Sequence, residues 1–226
     1  MTQQESLNQL FADLHAHRVA TFKPEDLAVN INQRKVLVEK TDRSKFIKIG
    51  DVVDSLTLPE VGGGTVVLDT LLSKGPAVLI FFRFAGCPAC NLALPYYQRQ
   101  LAPALRSLGA SLVAISPQVP EKLKEIKERH RLDFVVATDF GNELGYKFGI
   151  VFTADEASQK LALAKGNNMG ETIGTGTWDL PMPAVVVIDQ DHVVRFAEVS
   201  PDWLLRTEAD AIIEAVRSIS SVSKAA

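Results

Sequence analysis

Cys87-Pro88-Ala89-Cys90 holds the only two cysteines among 226 residues. Two thiols at C-x-x-C spacing suit dithiol redox work, in which one sulfur attacks and the other closes an internal disulfide. The pair follows the apolar run Ala77–Phe82 and precedes a helix-like stretch from about Asn91, so it falls at a strand-to-helix junction. The first turn of a helix offers unpaired N–H groups and a partial positive charge, and both stabilise the reactive thiolate. Cys87, at the outer end of that helix, is expected to be the more exposed sulfur, with Cys90 a turn inward. This chemistry needs the two sulfurs within bonding reach and at least one open to solvent.

Two other uses compete. Buried cysteines can simply pack as small hydrophobes. Zinc would need further ligands, and His15, His17, His130 and His192 form no H-x3–5-H pair. His15 and His17, two apart, fall on different faces of a helix. Gly62-Gly63-Gly64 is followed by no Lys-Ser/Thr pair, so it reads as a turn rather than a phosphate cradle. The sequence therefore implies no metal and no cofactor.

Arg83 lies four residues before Cys87, where the strand should end. Its guanidinium could favour a thiolate or an oxygen anion, the alternative being a surface Arg capping the sheet. Pro88 stiffens the C-x-x-C turn and withholds one N–H. Trp178, Met182 and Phe84 are candidates for an apolar substrate groove, or for core and lid packing.

The elements that must position these groups can be read in order. Leu7, Leu10, Phe11 and Leu14 recur at helical spacing, and Ser6 with Gln9 makes a capping box. A short second helix is expected after Pro24. The weakly patterned residues 1–48 read as a helical extension, and residues 49–220 as the main domain. In that domain Leu56–Pro59 and Thr65–Leu68 form a hairpin, and 77–82 a central strand covered on both faces. A helix interrupted at Pro95 follows, then strand Ser111–Ser116, helix Glu121–His130 and strand Phe134–Ala137. Asn142–Phe148 is a short helix closed by Gly149. Residues 151–180 read as a long irregular insertion. Val185–Ile188 pairs with Val193–Ala197, and a final helix opened by Thr207 is apolar at Ile212, Ile213, Val216 and Ile219. Alternating strands and helices with a late hairpin imply an α/β fold, a central mixed sheet with helices on both faces.

Composition narrows the function. The hydrophobic share is 46% and the charged share 23%, enough for a core without staples. A net charge of −3 does not favour nucleic acid. The run Glu121–Arg131 mixes both signs, as a solvated helix face does. No apolar stretch approaches the roughly 20 residues that cross a bilayer. The polar, acidic start lacks the features of a secretory signal, so a cytoplasmic location is expected, where reducing systems keep the pair mostly as thiols.

Four separated motifs agree in order with a known family. F-F-R-F-A-G-C-P-A-C-N, L-V-A-I-S-P-Q-V-P, A-T-D-F-G-N-E-L-G-Y-K-F-G-I and L-P-M-P-A-V-V-V-I-D resemble the peroxiredoxin-like branch of the thioredoxin superfamily, the alkyl hydroperoxide reductase/thiol-specific antioxidant proteins. The resemblance covers roughly residues 49–220. It implies a thioredoxin-like fold, a thiol peroxidase recycled by thioredoxin or glutathione, and a possible homodimer. The family pattern is Pro-x-x-x-Thr/Ser-x-x-Cys with a later Arg. With Cys90 at its Cys, the Thr position holds Cys87, the first Pro position Arg83 and the later Arg position Pro183. Pro95 and Pro183 instead resemble thioredoxin's helix proline and cis-proline, the latter turning the Met182 backbone toward the thiols. A second reading follows, a thiol–disulfide reductase acting on protein or small disulfides. A third is a binding module without turnover. Alignment gives the first attack to Cys90, and helix-end exposure gives it to Cys87.

Overall fold

A computed structural model describes residues 5–222. Two helices come first, α1 (Leu7–Thr21) and α2 (Pro24–Lys40). The Ser6 side chain caps α1 by accepting from the Gln9 N–H. A second cap comes from far along the chain. The Glu208 carboxylate accepts from the Leu7 and Asn8 N–H groups at 2.9 Å each, so an acid sits at the positive end of α1. The second helix spans 17 residues and is not short. Pro24 starts it at the first-turn position, but its charged sequence hides its length.

The strands β1 (Thr57–Pro59) and β2 (Thr65–Val67) form the expected antiparallel hairpin. Leu68 opens helix α3 (Leu68–Leu72) and does not extend the strand. Next come β3 (Ala77–Phe81), α4 (Pro88–Gln100), α5 (Ala102–Ser107), β4 (Ser111–Ser116), α6 (Pro120–Arg129), β5 (Val135–Thr138) and α7 (Glu143–Lys147). Gly149 ends α7 at φ +69°, where a Cβ would lie 2.1 Å from the Lys45 carbonyl oxygen, so only glycine fits.

The expected irregular insertion is instead structured. It contains β6 (Val151–Thr153), α8 (Glu156–Ala164), α9 (Met169–Ile173) and β7 (Asp179–Pro181), with β6 and β7 antiparallel. Asp155 caps α8 through the Ser158 N–H at 2.9 Å. None of the α8 residues is fully buried, so it lacks the apolar stripe by which helices are usually found. The chain closes with β8 (Ala184–Ile188), β9 (Val194–Val199) and α10 (Ala209–Val222).

The main sheet has the order β5-β4-β3-β8-β9. Strand β3 pairs parallel to β4 and antiparallel to β8, as a mixed sheet requires. All five residues of β3 are buried, and alternate side chains serve opposite faces. Val78 and Ile80 join the core beneath α1, α4 and α10, while Ala77, Leu79 and Phe81 join the core on the hairpin side. Leu7 and Phe11 of α1 are part of the first core, so the N-terminal helices cover the sulfur-bearing face.

Candidate active site

The strand hands over to the site within a few residues. Phe82 still donates to Ile115, at 2.9 Å, and the chain then leaves the sheet. Three side chains pin the loop that follows. Ser116 donates to the Arg83 carbonyl at 3.0 Å, Gln118 accepts from the Ala85 N–H at 2.8 Å, and Asn91 donates to the Ala85 carbonyl at 2.6 Å. Ser116 and Gln118 belong to the S-P-Q stretch after β4, which gives that motif a purpose. Cys87 then takes the N-cap position of α4, with Pro88 in its first turn.

Both sulfurs are buried, Cys87 at 1% exposure and Cys90 at 0%. The expected exposure of Cys87 is therefore corrected. The reason is α1, Trp203 and Phe84, which share the core around the helix mouth, so both sulfurs face protein although Gly86 and Pro88, on either side of Cys87, are exposed. Both cysteines are free thiols, and their side chains are hydrogen-bonded to each other. An N-cap side chain ordinarily accepts from its own helix, but Cys87 makes no such bond.

The surroundings set the two thiols apart. Burial alone pushes Cys90 up, but the Cys87 thiol, the Arg206 guanidinium and the Arg83 N–H outweigh it and hold Cys90 well below the usual thiol range. Arg206 Nη2 lies 3.5 Å from Cys90 Sγ. Cys87 moves well above that range because it donates to Cys90, because it is buried, and because a Cys90 thiolate repels a second charge. Of the pair, Cys90 is therefore the sulfur favoured to ionise, and as a thiolate it would receive a hydrogen bond from the Cys87 thiol.

Around them stands a group of arginines. Arg83 lies over the Trp203 ring at 4.8 Å, Arg18 at 5.2 Å and Arg34 at 5.6 Å. Trp203 also donates to Gln33 at 3.3 Å. Arg34 pairs with Asp202 at 3.1 Å. No carboxylate among the described residues pairs with Arg18, Arg83 or Arg206, and each has a buried nitrogen without a partner.

The predicted residues fare unequally. Arg83 is at the site and buried, not a surface cap. Pro183 is not a cis-proline, because the described residues contain no cis peptide bond. The Met182 N–H is taken by the Ile150 carbonyl at 2.7 Å, next to the β6–β7 pairing, so no free edge is left for a substrate strand. Pro183 packs near Arg206 and Tyr97 around a small enclosed gap. Trp178 lines a cavity with Arg83, while Met182 is buried elsewhere and Phe84 packs against the core and under the Arg83 guanidinium.

Sequence reasoning missed Arg206, Arg18 and Trp203. Arg18 had a legible signal, since it extends the stripe Leu7, Phe11, Leu14 by four residues and so places a charge on an apolar face. Arg206 and Trp203 lie in an irregular segment, where no periodicity marks them.

A mixed thioredoxin-like sheet bearing two hydrogen-bonded thiols at a helix mouth defines a peroxiredoxin-like oxidoreductase. The profile of the AhpC/TSA family matches residues 49–197, and the chain belongs to that family. The Mycobacterium tuberculosis protein named as peroxiredoxin Rv1608c is 33% identical over 104 residues, covering 46% of this chain and 67% of that one. Peroxiredoxin Bcp of Escherichia coli is 29% identical over 110 residues, covering 46% of this chain and 65% of that one. The crystal structure of peroxidoxin BcpB from Mycobacterium tuberculosis superposes with a TM-score of 0.59 at 26% identity, over 76% of this chain and 98% of that one. The chain is thus a thiol-dependent antioxidant oxidoreductase of the peroxide-reducing kind.

Proposed function

We propose that the chain reduces hydroperoxides with Cys90 as the attacking thiolate and Cys87 as the resolving thiol. The observation carrying this assignment is the asymmetry of the pair, in which Arg206 and the Cys87 thiol both donate to Cys90. The Cys90 thiolate attacks the terminal peroxide oxygen, forming S–O as O–O breaks. The departing alkoxide takes a proton and leaves as the alcohol, and the guanidinium groups offset its charge during cleavage. Cys87 then attacks the sulfenic sulfur, S–S forms, and hydroxide leaves with the Cys87 proton as water. In the cytoplasm, the dithiol of thioredoxin or two molecules of glutathione return the disulfide to two thiols by exchange, leaving as their own disulfide.

Both sulfurs are closed to solvent, so the chemistry requires a local opening, which we assign to the exposed turn at Gly86 and Pro88, and such an opening admits a small peroxide more readily than a protein disulfide. The engaged Met182 N–H, which a disulfide-bearing strand would need, favours the same substrate. Within the extension 1–48, we assign the helices α1 and α2 the role of a cover over the domain that follows, one that shifts when the larger reductant reaches the disulfide.

Stopped-flow mixing of the reduced protein with hydrogen peroxide tests the reading. The expected second-order rate is at least about a hundredfold above that of a free thiol, the order supplied by oriented charge at a reacting centre. A rate no faster than a free thiol contradicts it.

A further inference from the structure

The arginines hold more positive charge than the reaction uses. Cys90, whose sulfur accepts from Arg206, can balance at most one guanidinium, and Asp202 balances Arg34. Arg18, Arg83 and Arg206 then share at most a single counter-charge among the described residues, although their exposures are only 5%, 9% and 6%. Buried charge without a partner is costly, so such a cluster persists where an anion completes it. Arg18 Nη1 and Arg83 Nε are buried with nothing to bond.

Arg83 also lines a cavity of about 200 Å³ between α2 and the α8–α9 segment. Its other walls are mostly apolar, including Phe22, Leu161, Met169, Trp178 and Leu180. Arg18 lies outside the lining, behind Phe22, over whose ring it stands at 5.9 Å. Lys165 and Asp26 also line the space, but they are paired with each other at 2.7 Å. Gln33, itself buried and bonded to Trp203, adds a polar group beside Arg83. The cavity thus has an unpaired cation at its inner end and an apolar body.

We infer that this cavity binds an amphipathic monocarboxylate, its carboxylate held by Arg83 beside Gln33 and its hydrocarbon chain lying along Phe22, Leu161, Trp178 and Leu180. A planar carboxylate suits the guanidinium fork, and the apolar walls account for the chain. This site is separable from the peroxide chemistry. A protein that binds carboxylates without consuming peroxide keeps this inference and loses the other, and the converse also holds.

The probe is octanoate, with octanol and acetate as controls. Of the two tryptophans of the chain, Trp178 lines the cavity and Trp203 stacks against Arg83, so their fluorescence reads it locally. The reduced full chain should bind octanoate saturably, at least about tenfold more tightly than either control, which is the size of one well-placed charge contact. Arg83→Gln should weaken octanoate by about tenfold and leave octanol unchanged. Equal binding of octanol and octanoate, no saturable signal at millimolar octanoate, or unaltered octanoate affinity in Arg83→Gln would overturn the proposal. If the variant does not fold, the wild-type Tm decides, since octanoate should raise it and octanol should not. A Tm unmoved by octanoate counts against the site.

Discussion

Strand β3 and the segment just after it, Phe82 to Cys90, are neighbours that obey opposite rules, the first wholly buried and the second reaching the surface at Gly86 and Pro88. The strand is wholly apolar, and it is hydrogen-bonded on both edges, to β4 and β8. The next segment gathers thiols and guanidinium groups, several of them short of partners. Its cost is carried by the order of its neighbours, since β3 and α4 hold the ends of the loop while Ser116, Gln118 and Asn91 fix its middle. Polar groups left unsatisfied in a well-ordered surround mark where stability has been given up for chemistry.

Two substitutions should break that comparison most sharply. Cys90→Ser should reduce peroxide turnover by at least about a hundredfold while leaving the urea midpoint nearly in place. Leu79→Ala should do the reverse, costing about 2–5 kcal/mol of stability with turnover per folded molecule retained. Parallel denaturation and peroxide assays check both, and a large stability loss in Cys90→Ser would place that residue with the strand.

A smaller effect sharpens the electrostatic part. Arg206 holds Cys90 below the usual thiol range, so Arg206→Met should move the acid limb of the rate–pH profile to higher pH. On the acid side, the rate should fall about tenfold for every pH unit by which the limb moves. The linked stability has a definite sign. The folded Cys90 pKa lies below the unfolded one, so its contribution is present above the ordinary thiol pKa and is lost as pH falls through the folded value. Urea titrations across this window should show the slope in wild type and a flatter curve in Cys90→Ser.

The smallest expected change concerns the cover. Glu208 accepts from Ser6, Leu7, Asn8 and Tyr96, tying the start of α1 to the domain. Glu208→Gln should cost about 1 kcal/mol, as loss of a helix cap does. It should also raise amide exchange in residues 7–21 and speed alkylation of the buried thiols. Unchanged alkylation would mean that α1 does not control access.

The strand was legible because an unbroken apolar run depends only on neighbouring residues, and the same holds for β4, β8 and the stripe of α10. The C-x-x-C pair and Arg83 were legible because they are adjacent in sequence and the chemistry needs few residue types. The insertion was misread because α8 has no fully buried residue and α9 is only five residues long. Pro183 was assigned by resemblance to a backbone geometry that the β6–β7 pairing does not produce. Arg18 and Arg206 reach the sulfurs from opposite ends of the chain, a proximity that only the closed fold creates.

Mass spectrometry after one equivalent of hydrogen peroxide, on Cys87→Ser and Cys90→Ser separately, tests the assignment most directly. The account predicts a trapped sulfenic acid on Cys90 in Cys87→Ser and no rapid oxidation in Cys90→Ser. Oxygen on Cys87 in the second variant, formed as fast as in wild type, would contradict it.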